Sequence, residues 1–476
     1  MKFFKYAGLC SIVALGFLLR VYHLGNSSLW WDELMTVSRI DYPLVQVVRN
    51  LFISPFPPLY YILMNLWVKA FGNSEFFLRL PSLMFSVGSV IAVFYLAREL
   101  FDEDAGFFSA LFLSVSPYSI WFAQTAKMYS MSWFFAILSF LFFHRFTRDK
   151  RRVSLLLYVI FTTLSIYTTY IGFILILTQN ILFFCFNRER QVRRWLLGQA
   201  LIFLFFLPWL GIFQYNAINR TGLDWIPAVD NYIRLIGSVF PRMLTGYFGN
   251  PGYAELVICS LLIISAVVKL AGDRQKRYSI SFSLLFAWIA VPVFVYYLTY
   301  ISAYPILSEF SDRYIGVIHI PLIILMSRGI SKYKAGYISV ILVLLLGMTL
   351  LYHLRPFYKA DCKMTFTFRG VVFDDNWRNL SNEIRQRAGS DPLIVTDLPP
   401  VFRYYIKGYR IEPLEYIRDM ENSVSAGNFT SIFMVYKISG GRVKGRPLQR
   451  TIKGYKLEED YYRHPNGFFW FRKIDD

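Results

Sequence analysis

Two adjacent carboxylates, Asp32 and Glu33, follow the indoles of Trp30 and Trp31 shortly after the first long apolar segment. Indoles favour the lipid–water interface, so the pair is expected at the edge of a membrane. A carboxylate there can deprotonate an acceptor hydroxyl or steady an oxocarbenium-like transition state, which is the chemistry of glycosyl transfer. Its neighbour can hold the acceptor or a divalent cation, and oxygen ligands suit magnesium or manganese. Glu33 is the candidate ligand for such an ion. On spacing alone, the pair reads more simply as solvated loop acids beside an aromatic belt.

Three cations are candidates for the other half of such a reaction. Arg79 and Lys127 lie at the outer ends of apolar spans, and Arg313 follows Asp312 in a polar stretch between two late ones. A sugar carried on a polyprenyl phosphate would leave behind a phosphate monoester, whose developing charge cationic donors stabilise. Lys and Arg at helix ends also snorkel to lipid phosphates, so both accounts stay open for all three. His23, His144, His319, His353 and His464 are scattered without metal-ligand spacing and read as structural or interfacial. No GxSxG, HExxH or Walker-type loop occurs, which argues against hydrolase, zinc-protease and ATP-driven chemistry.

The elements that must position these residues are membrane helices. The chain has 476 residues, is 55% hydrophobic and has a mean hydropathy of +0.41. Many segments approach the ~20 apolar residues that span a bilayer, as in a polytopic α-helical membrane protein. The net charge of +19 sits largely in short clusters between apolar segments, where the positive-inside rule accounts for it. No basic face interleaved with base-stacking aromatics occurs, so nucleic acid is not an expected partner. Of the four cysteines, Cys10, Cys185 and Cys259 fall in apolar spans, and Cys362 completes no CxxC motif, so neither a disulfide framework nor a zinc site is indicated. The first apolar segment follows Lys2 and Lys5 without a small-residue cleavage site and reads as a retained span.

Charge fixes the expected topology. Residues 6–24 leave a cytoplasmic N-terminus, and residues 25–77 form a long extracytoplasmic loop holding Asp32 and Glu33. Within it, residues 57–71 are apolar, and whether they cross decides the side of everything downstream. If they do not cross, spans fall near 79–98, 106–124, 129–146, 153–169, 171–186, 195–214, 255–270, 280–300, 314–329 and 336–353. The basic clusters around Arg145–Arg152, Arg188–Arg194, Lys269–Arg277 and Arg328–Lys334 are then all cytoplasmic, as the positive-inside bias requires. Residues 57–71 therefore read as a short interfacial helix opened by Pro57 and Pro58. The expectation is about eleven spans with the C-terminus outside. One face then collects the Asp32-Glu33 loop, Arg79, Gln124–Tyr129, the 215–254 loop and residues 302–313, which hold Glu309, Asp312 and Arg313. After a transmembrane domain of residues 1–354, residues 355–476 are polar and lack a span. A helix over Asp374–Ala388 and strands at 393–395, 431–436 and 468–471 predict a small extracytoplasmic α/β domain.

In chain order, Trp31-Asp32-Glu33, Pro57-Pro58-Leu59-Tyr60-Tyr61, Phe77-Leu78-Arg79-Leu80-Pro81-Ser82, Ser116-Pro117-Tyr118 with Gln124–Tyr129, and Arg313-Tyr314 before a span holding Pro321 form a set. The set resembles bacterial glycosyltransferase family 39, the dolichyl-phosphate-mannose–protein mannosyltransferase-like group with its RgtA/B/C/D-like enzymes, related to the aminoarabinose transferases of lipid A. The resemblance covers roughly residues 5–330, with a weaker echo in Asn376-Trp377-Arg378. It implies a GT-C membrane fold, a polyprenyl-phosphate-sugar donor, catalysis on the outer face and inversion at the anomeric carbon. By position it implies Asp32 as base, Glu33 as its partner, and Arg79 and Lys127 near the donor phosphate, with Arg313 as a further cation. Two departures stand out: Phe56 where many relatives have His before Pro-Pro-Leu, and Thr125 and Lys127 where many carry Glu and Arg. The missing acid at 125 removes a possible metal ligand, for which Glu309 or Asp312 are candidate substitutes.

The expectation is an inner-membrane enzyme that moves one sugar onto an exported lipid, glycan or protein. A non-catalytic glycan-lipid transporter or scaffold would place ionisable groups near the bilayer midplane, whereas most charges here gather at span ends. An O-antigen ligase or polymerase, using a preassembled oligosaccharide, is the nearer alternative.

Overall fold

The computed structural model describes residues 2–52, 56–186, 191–219, 242–243, 246, 260–265, 267, 276–301, 312–331, 337–359, 364–367, 370–373, 377–396, 399–413, 429–439, 442–443, 451–452, 455–463 and 466–473. The chain divides into two compact units. One comprises Met1–Gly25, Arg39–Lys359 and Phe366–Gly370; the other comprises Asn26–Ser38, Ala360–Thr365 and Val371–Asp476.

The first unit is helical. After α1 (Lys2–Val21), the stretch expected to be a loop contains α2 (Trp31–Ile40), whose first part belongs to the second unit, then α3 (Leu44–Leu51) and α4 (Leu59–Phe71). There follow α5 (Glu75–Leu100), α6 (Glu103–Val115), α7 (Pro117–Ala123), α8 (Tyr129–Asp149), α9 (Arg152–Thr168), α10 (Ile171–Phe186) and α11 (Val192–Asn219). Later helices cover Lys276–Ile301, Asp312–Ile315, His319–Ser331 and Tyr337–Lys359. Among the described residues, Glu75–Leu100 and Val192–Asn216 are long and apolar enough to cross a membrane, and α6 with α7 would make a third if that bent pair is one span. Shorter apolar helices include Leu59–Phe71, Arg152–Thr168, Ile171–Phe186, Ile280–Val295 and Gly316–Ser331. The spans expected at 79–98, 129–146, 153–169, 171–186, 195–214, 280–300 and 336–353 each fall on a helix. Most of 255–270, the 215–254 loop and Glu309 lie outside the described residues.

Local chemistry sets the helix ends. Ser74 Oγ accepts the Phe77 N–H at 3.4 Å and Asp102 Oδ1 the Ala105 N–H at 2.8 Å, opening α5 and α6. Residues 106–124, expected as one span, instead break at Ser116-Pro117, where α6 and α7 meet at 60°. Pro117 has no N–H and forces Ser116 out of the helical region, to φ −63° and ψ 118°, and Ser116 Oγ then caps α7 by accepting the Ser119 N–H at 3.2 Å. Pro81 inside α5 likewise deprives the Phe77 carbonyl of its helical donor, and Trp67 Nε1 on α4 takes that carbonyl at 2.9 Å. The short helix expected over 57–71 is therefore present and anchored. At 13 residues it is about 20 Å long, shorter than the ~30 Å hydrocarbon core. A buried polar ladder of Ser139, Thr162, Gln179, Tyr158 and Gln199 joins α8 to α11.

The second unit is the small α/β fold expected from the tail. Its main sheet runs β4 (Arg410–Pro413), β3 (Pro392–Thr396), β5 (Ser431–Ser439), β9 (Asn466–Lys473), β8 (Tyr455–Arg463), β7 (Thr451–Ile452), with β6 (Arg442–Val443) pairing β5; a separate two-stranded sheet, β1 (Met364–Thr367) with β2 (Gly370–Phe373), is cut by the division and belongs to neither unit alone. β3 is parallel to β4 and β5, and β5–β9–β8 are antiparallel. All five β3 residues are buried, as a strand covered on both faces requires. Helices Trp377–Arg387 and Pro399–Tyr405 flank it, with Trp377 and Phe402 edge to face at 6.0 Å. Residues 26–38, which carry the acidic pair, group with this unit.

Candidate functional site

Asp32 and Glu33 occupy the first turn of α2 rather than a loop. Glu33 is wholly buried, and its Oε2 accepts the Trp30 N–H at 3.2 Å. Glu three residues into a helix reaching back to the N-cap amide is half of a capping box. Asp32 is half-buried, and its carbonyl accepts from Thr36 Oγ1 at 3.1 Å. Both carboxylates lie at the positive end of the helix dipole, which favours α2 beginning here. The two acids therefore differ: Glu33 is buried at the helix start, and Asp32 is half-buried.

The expected cations fall in the first unit. Arg79 is fully buried on α5, and its Nη1 donates to the Leu24 carbonyl at 2.9 Å. Ser82, one turn along, donates to the Lys127 carbonyl at 3.1 Å, so α5 also holds the turn bearing Lys127. Lys127 is nearly buried, with Nζ 5.5 Å from the centroid of Phe56. Arg39, which the sequence reading did not single out, places its guanidinium 5.3 Å from the same ring and 5.8 Å from that of Tyr61. Two cations thus share Phe56, the residue that departs from the family pattern. Arg313 is half-buried in the short helix Asp312–Ile315.

A second unanticipated arginine organises this unit. Arg20 is 0% exposed and all five of its N–H donors have acceptors. Nε donates to Ser86 Oγ at 2.8 Å, Nη1 to the Gly16 and Ser114 carbonyls at 3.0 and 2.7 Å, and Nη2 to the Leu113 carbonyl and Ser119 Oγ at 2.9 Å each. The Leu113 carbonyl is the one that Pro117 cannot serve, so Arg20 stabilises the α6–α7 break. Gln124 Nε2 donates to the Arg20 and Tyr22 carbonyls at 2.9 and 2.7 Å and closes α1. An arginine within an apolar segment is the signal that could have marked this hub. Arg39 carries no such signal, because only the fold sets it on Phe56.

Among the described residues no three His, Cys, Asp or Glu side chains come together to hold a metal ion, and Glu33, the expected ligand, caps a helix. Glu309 and the Asp312 side chain, the candidate substitute ligands, lie outside what is described.

Residues 56–212 match the family of dolichyl-phosphate-mannose-protein mannosyltransferases, so the resemblance read from the motifs is borne out there. The fold resembles ArnT from Cupriavidus metallidurans bound to undecaprenyl phosphate, at TM-score 0.57 and 12% identity over 97% of each chain. It also resembles the Archaeoglobus fulgidus oligosaccharyltransferase, at 0.56 and 13% over 91% of this chain and 70% of that one. The fold is of the GT-C type. Arabinofuranosyltransferase AftD from Mycobacteria is a third GT-C neighbour, at 0.53 and 10% over 98% of this chain and 40% of that one. No curated protein matches the chain by sequence.

Proposed function

We propose that this GT-C protein is an integral membrane glycosyltransferase that moves one sugar from a polyprenyl-phosphate carrier to an exported lipid, glycan or protein on the outer face. The observation that supports the reading is the acidic pair in the first turn of α2, where Glu33 is buried at the helix start and Asp32 is half-buried. The acceptor oxygen attacks the anomeric carbon as its proton passes to Asp32, and the bond from that carbon to the phosphate oxygen breaks in the same step. The configuration inverts and polyprenyl phosphate leaves. Arg79, Lys127 and Arg313 supply positive charge for the departing phosphate, and Arg39, sharing Phe56 with Lys127, joins them. The N-terminus is cytoplasmic and the C-terminal unit extracytoplasmic in this reading.

The test is transfer from the outer face of membranes holding equal amounts of wild type and Asp32→Asn, across a panel of polyprenyl-phosphate sugars with crude envelope acceptor. Wild type is expected to transfer one sugar with inversion, and the variant to lose about 10²-fold or more of the rate. Equal transfer by the two proteins removes Asp32 as base, and a retained configuration removes the one-step mechanism.

A further inference from the structure

The segment that leads into the acidic pair has little regular structure of its own, yet its polar backbone is buried. Ser28, Leu29, Trp30 and Glu33 are 4%, 0%, 4% and 0% exposed. Buried backbone groups need partners, and here the partners come from the far end of the chain. The Leu29 N–H donates to Tyr405 Oη at 2.7 Å across 376 residues of sequence. The Arg378 N–H donates to Ser28 Oγ at 3.2 Å, and Arg378 Nη1 donates to the Asn26 carbonyl at 3.0 Å. With the Trp30 N–H held by Glu33, the chain is pinned at Asn26, Ser28, Leu29 and Trp30, immediately before Asp32.

The groups that pin it sit on a stiff base. Arg378 is the second residue of helix Trp377–Arg387, and Tyr405 is the last of helix Pro399–Tyr405. Trp377 packs edge to face on Phe402, and Arg385 donates to the Tyr405 carbonyl, so the two helices are joined to each other as well as to the segment. Helix Pro399–Tyr405 packs on β4, which pairs with the fully buried strand β3. Side chains held by a packed helix pair define a geometry more closely than a loop can. What the clamp leaves half-exposed, at the point where α2 begins, is Asp32.

We propose that the C-terminal unit is a positioning platform for the acidic segment. Tyr405 and Arg378 are positioning residues that fix the backbone from Asn26 to Trp30 and thereby the place of the Asp32 carboxylate. This rests on the reading of Asp32 as base, but the clamp is measurable without any transfer. Misplacing a reacting group by about 1 Å costs on the order of 10²-fold in rate, so a loosened clamp lowers kcat while leaving donor binding alone.

The experiment uses the full chain in lipid nanodiscs, as wild type, Tyr405→Phe, Arg378→Met and Arg378→Lys. Amide hydrogen exchange is followed by mass spectrometry, and transfer kinetics are measured with the donor that wild type uses. Tyr405→Phe is expected to speed exchange at residues 29–34 by about tenfold, since one buried hydrogen bond is lost. Exchange in β3 and β5 stays at the wild-type rate. The kcat falls about tenfold or more, the KM for donor stays within about twofold, and Arg378→Lys recovers part of what Arg378→Met loses. Unchanged exchange at 29–34 overturns the proposal, and so does faster exchange there with an unchanged kcat. A rise in donor KM at constant kcat also overturns it, because that places Tyr405 or Arg378 in binding. Should Tyr405→Phe fail to accumulate, Ser28→Ala removes one acceptor at the same clamp and is read against the same criteria. If the exchange pattern changes as expected while Asp32→Asn transfers sugar as fast as wild type, the clamp stands and the assignment of Asp32 as base fails separately.

Discussion

Arg20 and Arg39 stand in the same helical unit and do opposite things with the same side chain. Arg20 is wholly buried and gives all five donors to protein acceptors, two of them carbonyls at a broken helix. Arg39 is half-buried, stacks on two rings, and among the described residues makes a single side-chain hydrogen bond, to Tyr61 Oη at 3.4 Å. A guanidinium whose geometry is complete is part of the fold. One that is oriented by aromatic faces while keeping its donors available is suited to an anion. The acids of α2 differ in burial, with Glu33 wholly buried at a cap and Asp32 half-buried.

Replacing each of these residues separates the two kinds. The largest effect is expected for Arg20→Met, which removes five buried hydrogen bonds and leaves the Leu113 carbonyl unserved, at about 1–3 kcal/mol for each buried group left without a partner. Its yield of monodisperse protein in detergent should collapse, and normal yield and melting temperature would place Arg20 with the available arginines. Next comes Arg39→Met, expected to keep the wild-type melting curve while weakening binding of a sugar-free polyprenyl phosphate about tenfold, as loss of a charge-assisted hydrogen bond implies. A drop in stability with unchanged binding would make Arg39 a second Arg20. Glu33→Gln retains an acceptor for the Trp30 N–H and should cost about 1 kcal/mol or less, with Glu33→Ala costing more. If Glu33→Gln melts like wild type yet transfers nothing, Glu33 belongs with Asp32.

The smallest effect belongs to Arg148 and Asp149, an arginine engaged but solvated. The hydrogen bond from Arg148, at 2.7 Å, holds the Asp149 carboxyl below its usual 3.8, against the opposing effect of desolvation. A depressed carboxylate pKa stabilises the fold above the unfolded value of 3.8, and that contribution is lost as pH falls through the folded value. Because the pair is exposed and screened, Asp149→Asn should shift stability at neutral pH by no more than about 0.5 kcal/mol. Melting curves at low and high salt check this, and a larger shift would mean that engagement matters more than burial.

The amino-acid sequence by itself determined the helical segments, the short helix before α5, the α/β tail and the acidic pair, because apolar runs, helix caps and prolines act over neighbouring residues. Which face of α4 is buried, Tyr60, Tyr61, Met64 and Asn65, is not marked in the unbroken apolar run from Leu59 to Met64. The sequence also determined that Pro117 and Pro81 must free a carbonyl each, since proline has no N–H whatever surrounds it. Which groups take those carbonyls was decided only by the tertiary structure, and they are Arg20 from α1 and Trp67 from α4. The same holds for Phe56, which reads as a lost histidine in sequence and becomes, in the fold, the ring that gathers Arg39 and Lys127. It holds most strongly for Leu29, whose amide partner Tyr405 lies near the other end of the chain. Local chemistry is written in spacing, but a buried polar group takes whatever partner packing brings within about 3 Å, and sequence distance carries no record of that.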